Sequence, residues 1–253
     1  MSAMTSDENL PYDRWRRITG AADRLHRVAN HRTSSGADSV LTEIVACVTD
    51  VFPQAEHAGV LLWTKDKRHD RNPRLKPASS TGPAADEFDR LQLSYAAGPA
   101  MEAALRGMTI RVRDLAVDER WPTFVRAARG STPVRSALAF ELPSPARSLG
   151  AVTLCSEAPG AFGPDDVEPA EAFAVHASAA LSTARLVEQL RHAVETRDTI
   201  GQAKGMLMER HHIDADAAFD LLRRLSQDTN TPVVDLAEQV VNVERFTEAE
   251  PVP

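Results

Sequence analysis

The sequence predicts an α+β domain, built on a mixed sheet of five or six strands with helices, that is joined by a long helix or coiled coil to an all-α three-helix bundle. Three observations predict this fold class. Short apolar segments alternate with amphipathic helical patterns over residues 38–156. No proline or glycine interrupts residues 170–200. Three apolar stripes with helical spacing then follow within residues 196–242.

An amphipathic helix is predicted first, from Pro11 to about Asn30. Its apolar face carries Trp15, Ile18, Ala22, Leu25 and Val28, and its other face carries Arg14, Arg17, Arg24 and Arg27. We expect the apolar face to pack on a neighbouring helix while the arginines lie in solvent. A membrane surface or an acidic partner is the alternative for a basic amphipathic helix.

The α+β region begins near residue 38. Helical periodicity predicts helices at 38–51, 84–106 in two parts, and 124–129, and short apolar runs predict strands at 57–63, 75–81, 109–112, 136–142 and 149–156. The charged segment 64–74 is predicted to be an exposed turn. Helices interspersed with strands in this way are typical of an α+β domain.

Three short helices are predicted at the end of the chain. Ala203 and Leu207 share one face of the first helix. Asp214 is a predicted N-cap for the second helix, and Thr231 followed by Pro232 is a start signal for the third. Apolar stripes of this length can bury one another, which predicts a three-helix bundle.

The first helix of this bundle carries Gly201 and Gly205 one turn apart, with Lys204 between them. Each glycine costs a helix interior about 1 kcal/mol relative to alanine. One interpretation is tight packing of the helix on a neighbouring helix. The other is a surface that admits a nucleic-acid backbone, with Lys204 as the cation.

Three segments of the bundle resemble the ANTAR domain: IGQAKGMLMER at 200–210, AAFDLLRRLS at 217–226 and LAEQVV at 236–241. ANTAR domains are the RNA-binding domains of bacterial transcription antitermination regulators. The resemblance implies a homodimer that binds tandem stem-loops in nascent transcripts. It also implies an RNA-binding set, with Lys204 as a phosphate contact, of Gly201, Lys204, Gly205, Arg210, Arg223, Arg224 and Ser226.

A second resemblance covers residues 38–186. DRLQ at 89–92, GP at 98–99, DLAVDERWPTF at 114–124, LGAVTL at 149–154 and AFGPDD at 161–166 are similar to the GAF domains that precede ANTAR domains in actinobacterial proteins. GAF domains are ligand-sensing folds, so a small-molecule ligand or other signal, of unknown identity, is implied; no cofactor is expected. Ala100 occupies a position that is often cysteine in relatives, which argues against a thiol-based sensor there.

The predicted division of the chain has five parts. They are an N-terminal tail and amphipathic helix at 1–35, a sensor domain at 36–165, a connecting helix at 166–196, an RNA-binding bundle at 197–246 and a tail at 247–253. The helix is predicted to continue to about His211, and its middle, near 180–197, is expected to pair with a second copy as a short coiled coil. Its predicted apolar seam comprises Phe173, Ala177, Ala180, Ala184, Val187, Leu190 and Val194. The alternative is a bend near Thr196.

Composition limits the partners and the location. The formal net charge of −7 argues against bulk, non-specific nucleic-acid binding. No apolar run approaches the roughly 20 residues that span a bilayer, and the polar N-terminus does not resemble a secretory signal. Cys47 and Cys155 are far apart and lack CxxC partners, which predicts a reducing, cytoplasmic location without a disulfide.

The sequence predicts neither an enzyme nor a metal site. It contains no phosphate-binding loop, dinucleotide glycine fingerprint or nucleophile elbow. Two hypotheses are therefore open: a signal-sensing antitermination regulator that binds RNA, and a dimeric ligand-sensing module whose bundle docks a protein partner. A sensor-domain enzyme is less favoured, since the sequence shows no catalytic constellation, and a DNA-binding regulator is less favoured, since the bundle has no basic recognition helix.

Overall fold

The computed structural model describes residues 10–30, 36–64, 74–145 and 147–248, with side chains described between Asp13 and Asn242. It divides into two compact units between Arg185 and Leu186. The predicted turn at 64–74 lies almost entirely outside the described residues, as do most of both tails. Among the described residues, no helix combines the length and the hydropathy needed to cross a bilayer.

Eight helices and five strands make up the described chain. The helices are α1 Leu10–Asn30, α2 Ala37–Val51, α3 Pro83–Tyr95, α4 Pro99–Arg106, α5 Pro122–Ser131, α6 Val167–His211, α7 Ala215–Thr229 and α8 Val233–Glu248. The strands are β1 His57–Thr64, β2 Arg74–Ser80, β3 Ile110–Val112, β4 Ser136–Leu142 and β5 Gly150–Ser156. The predicted long helix is confirmed as α6, which contains 45 residues.

The sheet has the order β2-β1-β5-β4-β3, and all its described pairings are antiparallel. The prediction of a mixed sheet was therefore wrong. A helix between two strands can form a crossover between parallel neighbours, which would give a mixed sheet. Here α3 and α4 instead connect β2 and β3, which lie at opposite edges of the sheet.

Each face of the sheet packs against its own set of helices. Val60 and Val152 point to the face covered by α1, α2 and the first part of α6. Leu61 and Ala151 point to the other face, which α3, α4 and α5 cover. Phe140 packs on the first of these faces, edge-on to Phe173. Trp63 and Trp121 pack against the core on the other face.

The arginine face of α1 is partly paired rather than fully solvated. Arg24 makes ion pairs with Glu43 (2.7 Å) and Asp50 (2.6 Å) on α2. Trp15, expected on the packed face, is 40% exposed. The expectation of solvated arginines failed because α2 presents acidic side chains at matching positions, which the pattern within α1 alone does not show.

Arg14 ties α1 to the short 3-10 turn Pro164–Asp166 that precedes α6. Its Nη1 lies 2.6 Å from Asp166 Oδ1, and Gln54 donates to the same oxygen at 3.1 Å. Gly163 N–H donates to the other oxygen of Asp166 at 2.6 Å. The Asp166 side chain is only 8% exposed, so its charge depends on these partners.

Replacing Arg14 with methionine should lower the free energy of unfolding of the sensor domain by about 2 kcal/mol, because Asp166 would remain buried without its cation. Urea denaturation followed by circular dichroism measures the change. Arg27→Met is the matched control, since Arg27 is exposed on the same helix and its loss should cost less than about 0.5 kcal/mol. Equal losses in the two variants would show that the ion pair contributes little.

Candidate functional site

The C-terminal bundle has a small apolar core. Six buried residues from its three helices make up this core: Ala203, Leu207, Ala218, Leu222, Ala237 and Val241. Partly buried side chains that include Ile200, Met206 and Leu236 surround them. Packing of these stripes on one another fixes which side of each helix faces outward.

Capping residues set the ends of α7. The Asp214 carboxylate accepts a hydrogen bond from the Ala217 N–H at 2.8 Å, as expected of an N-cap. At the other end, Asn230 adopts a left-handed conformation with φ 51°. The α8 helix begins at Val233, one residue later than the Thr231–Pro232 signal predicted.

Gly201 and Gly205 both face open space. Apart from the neighbouring turns of their own helix, no described atom lies within 4 Å of a Cβ atom added at either position. Alanine would therefore fit at both positions and would favour the helix by about 1 kcal/mol each. Close packing within the described chain does not explain these glycines.

Lys204 lies between the two glycines and over an aromatic ring. Its Nζ is 5.7 Å from the centroid of the Phe219 ring on α7. This cation–π contact holds the ammonium group at the edge of the open glycine surface. The structure thus places a cation beside a smooth, accessible backbone.

The other predicted site residues are spread around the bundle. Arg223 lies one turn beyond Phe219 on the same side of α7 and pairs with Asp220 at 3.3 Å. Arg224 follows at the next position, about 100° further around the helix. Arg210 is six residues beyond Lys204, which places it about 120° away around α6. The cations therefore do not form one patch.

Ser226 has a structural hydrogen bond. Its hydroxyl donates to the Thr231 carbonyl at 2.6 Å, across the turn between α7 and α8. The Thr231 N–H in turn donates to the Ser226 carbonyl at 3.2 Å. The hydroxyl proton of Ser226 is thus engaged within the bundle, and only its oxygen lone pairs remain to accept a further bond.

Phe219 was not among the residues singled out from the sequence. It is 40% exposed, although Ala218 beside it is fully buried. The signal available in the sequence was an aromatic residue one position past a core alanine, which helical periodicity alone places at the edge of the core. Its proximity to Lys204 depends on how α6 and α7 pack.

Charge on the bundle is predominantly negative. Residues 188–241 contain six lysines or arginines against ten aspartates or glutamates. A surface of this balance does not attract phosphates over a broad area. Any nucleic acid bound here has to be held by a few placed cations and by uncharged contacts.

The sensor unit contains a buried polar chain at the centre of its α3/α4/α5 face. Gln92 Nε2 donates to Asp89 Oδ1 at 2.9 Å, and the Ala100 N–H at the start of α4 donates to Gln92 Oε1 at 2.7 Å. A side chain at Gly59 would collide with the Asp89 carboxyl, so this position of β1 requires glycine. Burial raises the pKa of Asp89 to about 7, although the bond from Gln92 opposes the shift.

Thr153 lies beside this chain. It pairs with Gly59 across β1 and β5, and with Ala139 across β4 and β5. Its hydroxyl is buried and has no hydrogen-bond partner among the described residues. The centre of this face therefore combines small side chains with buried polar groups.

The two cysteines are buried and unpaired. Burial raises the pKa of Cys47 to about 12, with a further contribution from its hydrogen bond to Glu43. Burial also raises the pKa of Cys155 well above its usual value. Because the thiolate is the reactive form, neither environment favours thiol chemistry.

An apolar row is exposed on α6 after the sensor unit. Leu186, Leu190 and Val194 recur every four residues and are 55–58% exposed. The earlier members of the predicted seam, such as Phe173 and Ala177, are instead buried in the core of the sensor unit. The predicted seam therefore divides. Its first residues pack within the sensor unit, whereas Leu190 and Val194, with Leu186 beside them, are exposed and not covered by any described residue.

Comparison with known families finds two domains in this order. A model of the GAF domain matches residues 34–182, more than half of the chain, and a model of the ANTAR domain matches residues 188–241. This is the combination that the sequence predicted, and it is an architecture of signalling proteins. A search of curated proteins gives no match.

Solved structures that resemble the chain include free methionine-R-sulfoxide reductase from Neisseria meningitidis, with 20% identity over 74% of this chain and 96% of that chain, at a TM-score of 0.48. The GAF domain of a phosphoenolpyruvate-protein phosphotransferase from Coxiella burnetii has 13% identity over 69% of this chain and 98% of its own, at 0.48. The corresponding GAF domain from Acinetobacter has 15% identity over 68% and 97%, at 0.47. These identities are too low to transfer an activity.

Proposed function

We propose that this chain, which belongs to the GAF domain family and carries an ANTAR domain behind its GAF domain, is a transcription antitermination regulator that binds RNA stem-loops. The order of the two domains is that of a sensing regulator. The division that we propose assigns the sensor to residues 36–165, the connecting helix to 166–196 and the RNA-binding bundle to 197–246. The ligand or signal of the sensor is left open.

The open glycine surface beside Lys204 is the observation that carries this proposal. Gly201 and Gly205 forgo about 2 kcal/mol of helix propensity together, and no contact within the described chain requires it. A backbone without side chains is useful where another molecule must come close. Lys204 offers that molecule a positive charge at the edge of the same surface.

RNA fits this surface better than a protein partner does. A phosphate group can approach the bare helix backbone and reach Lys204, whereas the two glycines offer a protein partner no side chain to pack against. The acidic balance of the bundle favours the protein hypothesis to some extent, but it is compatible with recognition of loops through a few contacts. Protein docking is therefore the alternative that the experiment must separate.

We propose a homodimer paired through α6. In this dimer, α6 of one copy packs against α6 of the other through the exposed row of Leu186, Leu190 and Val194. Two bundles in one dimer would bind two stem-loops of one transcript.

Replacing Lys204 with alanine should weaken the binding of a tandem stem-loop RNA about tenfold and reduce the slope of log affinity against log salt by about one, because one phosphate contact is lost. Fluorescence anisotropy with labelled RNA at several salt concentrations measures both quantities. Lys76→Ala is the control, since it removes one exposed positive charge from the sensor unit. Unchanged affinity and slope in the Lys204 variant would remove this residue from the site.

Replacing Gly205 with leucine separates docking from folding. The side chain enters open space, so the helix should be retained or slightly stabilised, by up to about 1 kcal/mol. RNA affinity should nevertheless fall, since the added side chain fills the surface. Thermal unfolding and RNA binding of the same preparation provide the comparison, and full RNA affinity would contradict the proposed docking face.

A further inference from the structure

We infer that Phe219 is a stacking platform for an unpaired base of the RNA loop, a role that rests on the proposed RNA-binding function. It deepens that function by naming an uncharged contact beside the phosphate contact at Lys204. Phe219 would contact the loop of the RNA rather than its paired stem.

Phe219 remains partly exposed although the core is next to it. Ala218 and Leu222 on the same helix are fully buried, whereas the Phe219 residue is 40% exposed. Burying a phenylalanine side chain contributes roughly 1.5–3 kcal/mol. Three of the six core residues are alanine, yet the larger Phe219 side chain stays partly outside the core. The bundle therefore does not gain the full free energy of burying this ring. Part of an aromatic side chain therefore remains available at the surface.

Lys204 links the ring to the glycine surface. Its ammonium group lies 5.7 Å from the ring centroid, and Lys204 itself is flanked by Gly201 and Gly205. A nucleotide that places its phosphate at Lys204 can place its base within reach of the ring. In this arrangement the ring contacts the base, the ammonium group contacts the phosphate, and the bare helix backbone leaves room for the sugar.

The acidic balance of the bundle favours stacking as a source of affinity. With ten acidic against six basic residues over 188–241, phosphate contacts alone supply little net attraction. Stacking of a base on an aromatic side chain contributes about 1–3 kcal/mol and does not depend on the charge of the surface. The occupant must be an unpaired base, because bases within an A-form stem are stacked on one another and not accessible.

The test uses full-length protein and a tandem stem-loop RNA that carries 2-aminopurine at one loop position at a time. Stacking on Phe219 should quench the emission of one labelled loop position, and stem positions should not respond. The Phe219→Leu variant should abolish this quenching and weaken binding about tenfold or more, with a much smaller change in salt slope than Lys204→Ala causes. The Phe219→Trp variant should retain both binding and quenching.

Leu225→Ala is the matched control. Leu225 lies on the same helix with 42% exposure, but six residues from Phe219, which places it about 120° around the helix. Its loss should leave affinity and quenching unchanged. Lys204→Ala should reduce the salt slope, which distinguishes the phosphate contact from the stacking contact.

Two different failures are distinguishable. If the wild-type protein binds the stem-loop RNA but Phe219→Leu binds equally well and quenches equally, Phe219 only covers the flank of the bundle and the inference is overturned. If the wild-type protein binds the stem-loops no better than a scrambled RNA, the proposed RNA function itself is wrong. In that second case, docking of a protein partner is the remaining hypothesis for the surface around Gly201, Lys204 and Gly205.

Discussion

Replacing Asp89 with asparagine should flatten the dependence of folding stability on pH in the weakly acidic range. A carboxyl group in the unfolded chain ionises near pH 4, whereas burial raises the pKa of Asp89 in the folded protein to about 7. Between these values the folded state holds a proton that the unfolded state has released. Stability from this group is therefore fully present below about pH 4 and is lost as the pH rises to about 7.

The size of this effect follows from the difference in pKa. About three pH units correspond to roughly 4 kcal/mol of stability lost between pH 4 and pH 7. Asparagine has nearly the same shape and its Oδ1 can still accept from Gln92 Nε2, so the variant should fold. Because asparagine does not titrate, residue 89 should add no pH dependence to the stability of the variant.

Urea denaturation at several pH values between 4.5 and about 8 tests this expectation. Asp86→Asn is the control, because Asp86 is exposed on the same helix and accepts a hydrogen bond from Ser80. Its charge adds to the raised pKa of Asp89, but less than burial does. The control should keep most of the pH dependence. A slope in Asp89→Asn equal to that of the wild type would show that another group causes the dependence.

Replacing Leu190 with lysine should dissociate the proposed homodimer. In a paired α6 seam both copies lose a leucine and gain a charge, which should raise the dissociation constant on the order of 1,000-fold. Light scattering coupled to gel filtration should show half the mass of the wild type. Leu190 is 58% exposed in the single chain, so the fold of each copy should persist.

RNA binding gives the dimer test a second measurement. A monomer binds one stem-loop at a time, so the Leu190 variant should lose affinity for tandem stem-loops and keep its affinity for a single one. His192→Lys is the control, because helical spacing places His192 on the opposite side of α6 from Leu190. Wild-type protein that runs as a monomer at all accessible concentrations would contradict the proposed pairing.

Local patterns in the sequence were sufficient to predict the elements and the first part of the candidate site. Helical periodicity placed Ala203 and Leu207 in the core, and the same periodicity placed Gly201 and Gly205 away from it. The N-cap at Asp214 followed from its position before an apolar stripe. Each of these inferences needs only residues within a turn or two of one another.

Contacts between distant segments were not predictable in this way. The ion pair between Arg14 and Asp166 joins residues 152 positions apart, and nothing near Arg14 in sequence distinguishes it from the other arginines of α1. Asp89 was part of a recognised motif, but its burial over Gly59 depends on α3 crossing β1. The contact of Lys204 with Phe219 likewise depends on helix packing.

The alanine-rich interior of the C-terminal bundle links RNA binding to the stability of the bundle. Three of its six fully packed positions are alanine, which contributes little transfer free energy on folding. Such a module opens locally at low cost, and any ligand that binds only its closed form shifts that equilibrium by mass action. Bound RNA would thus stabilise the closed bundle, and we expect the backbone amides of the RNA-free bundle to exchange faster than those of the sensor unit.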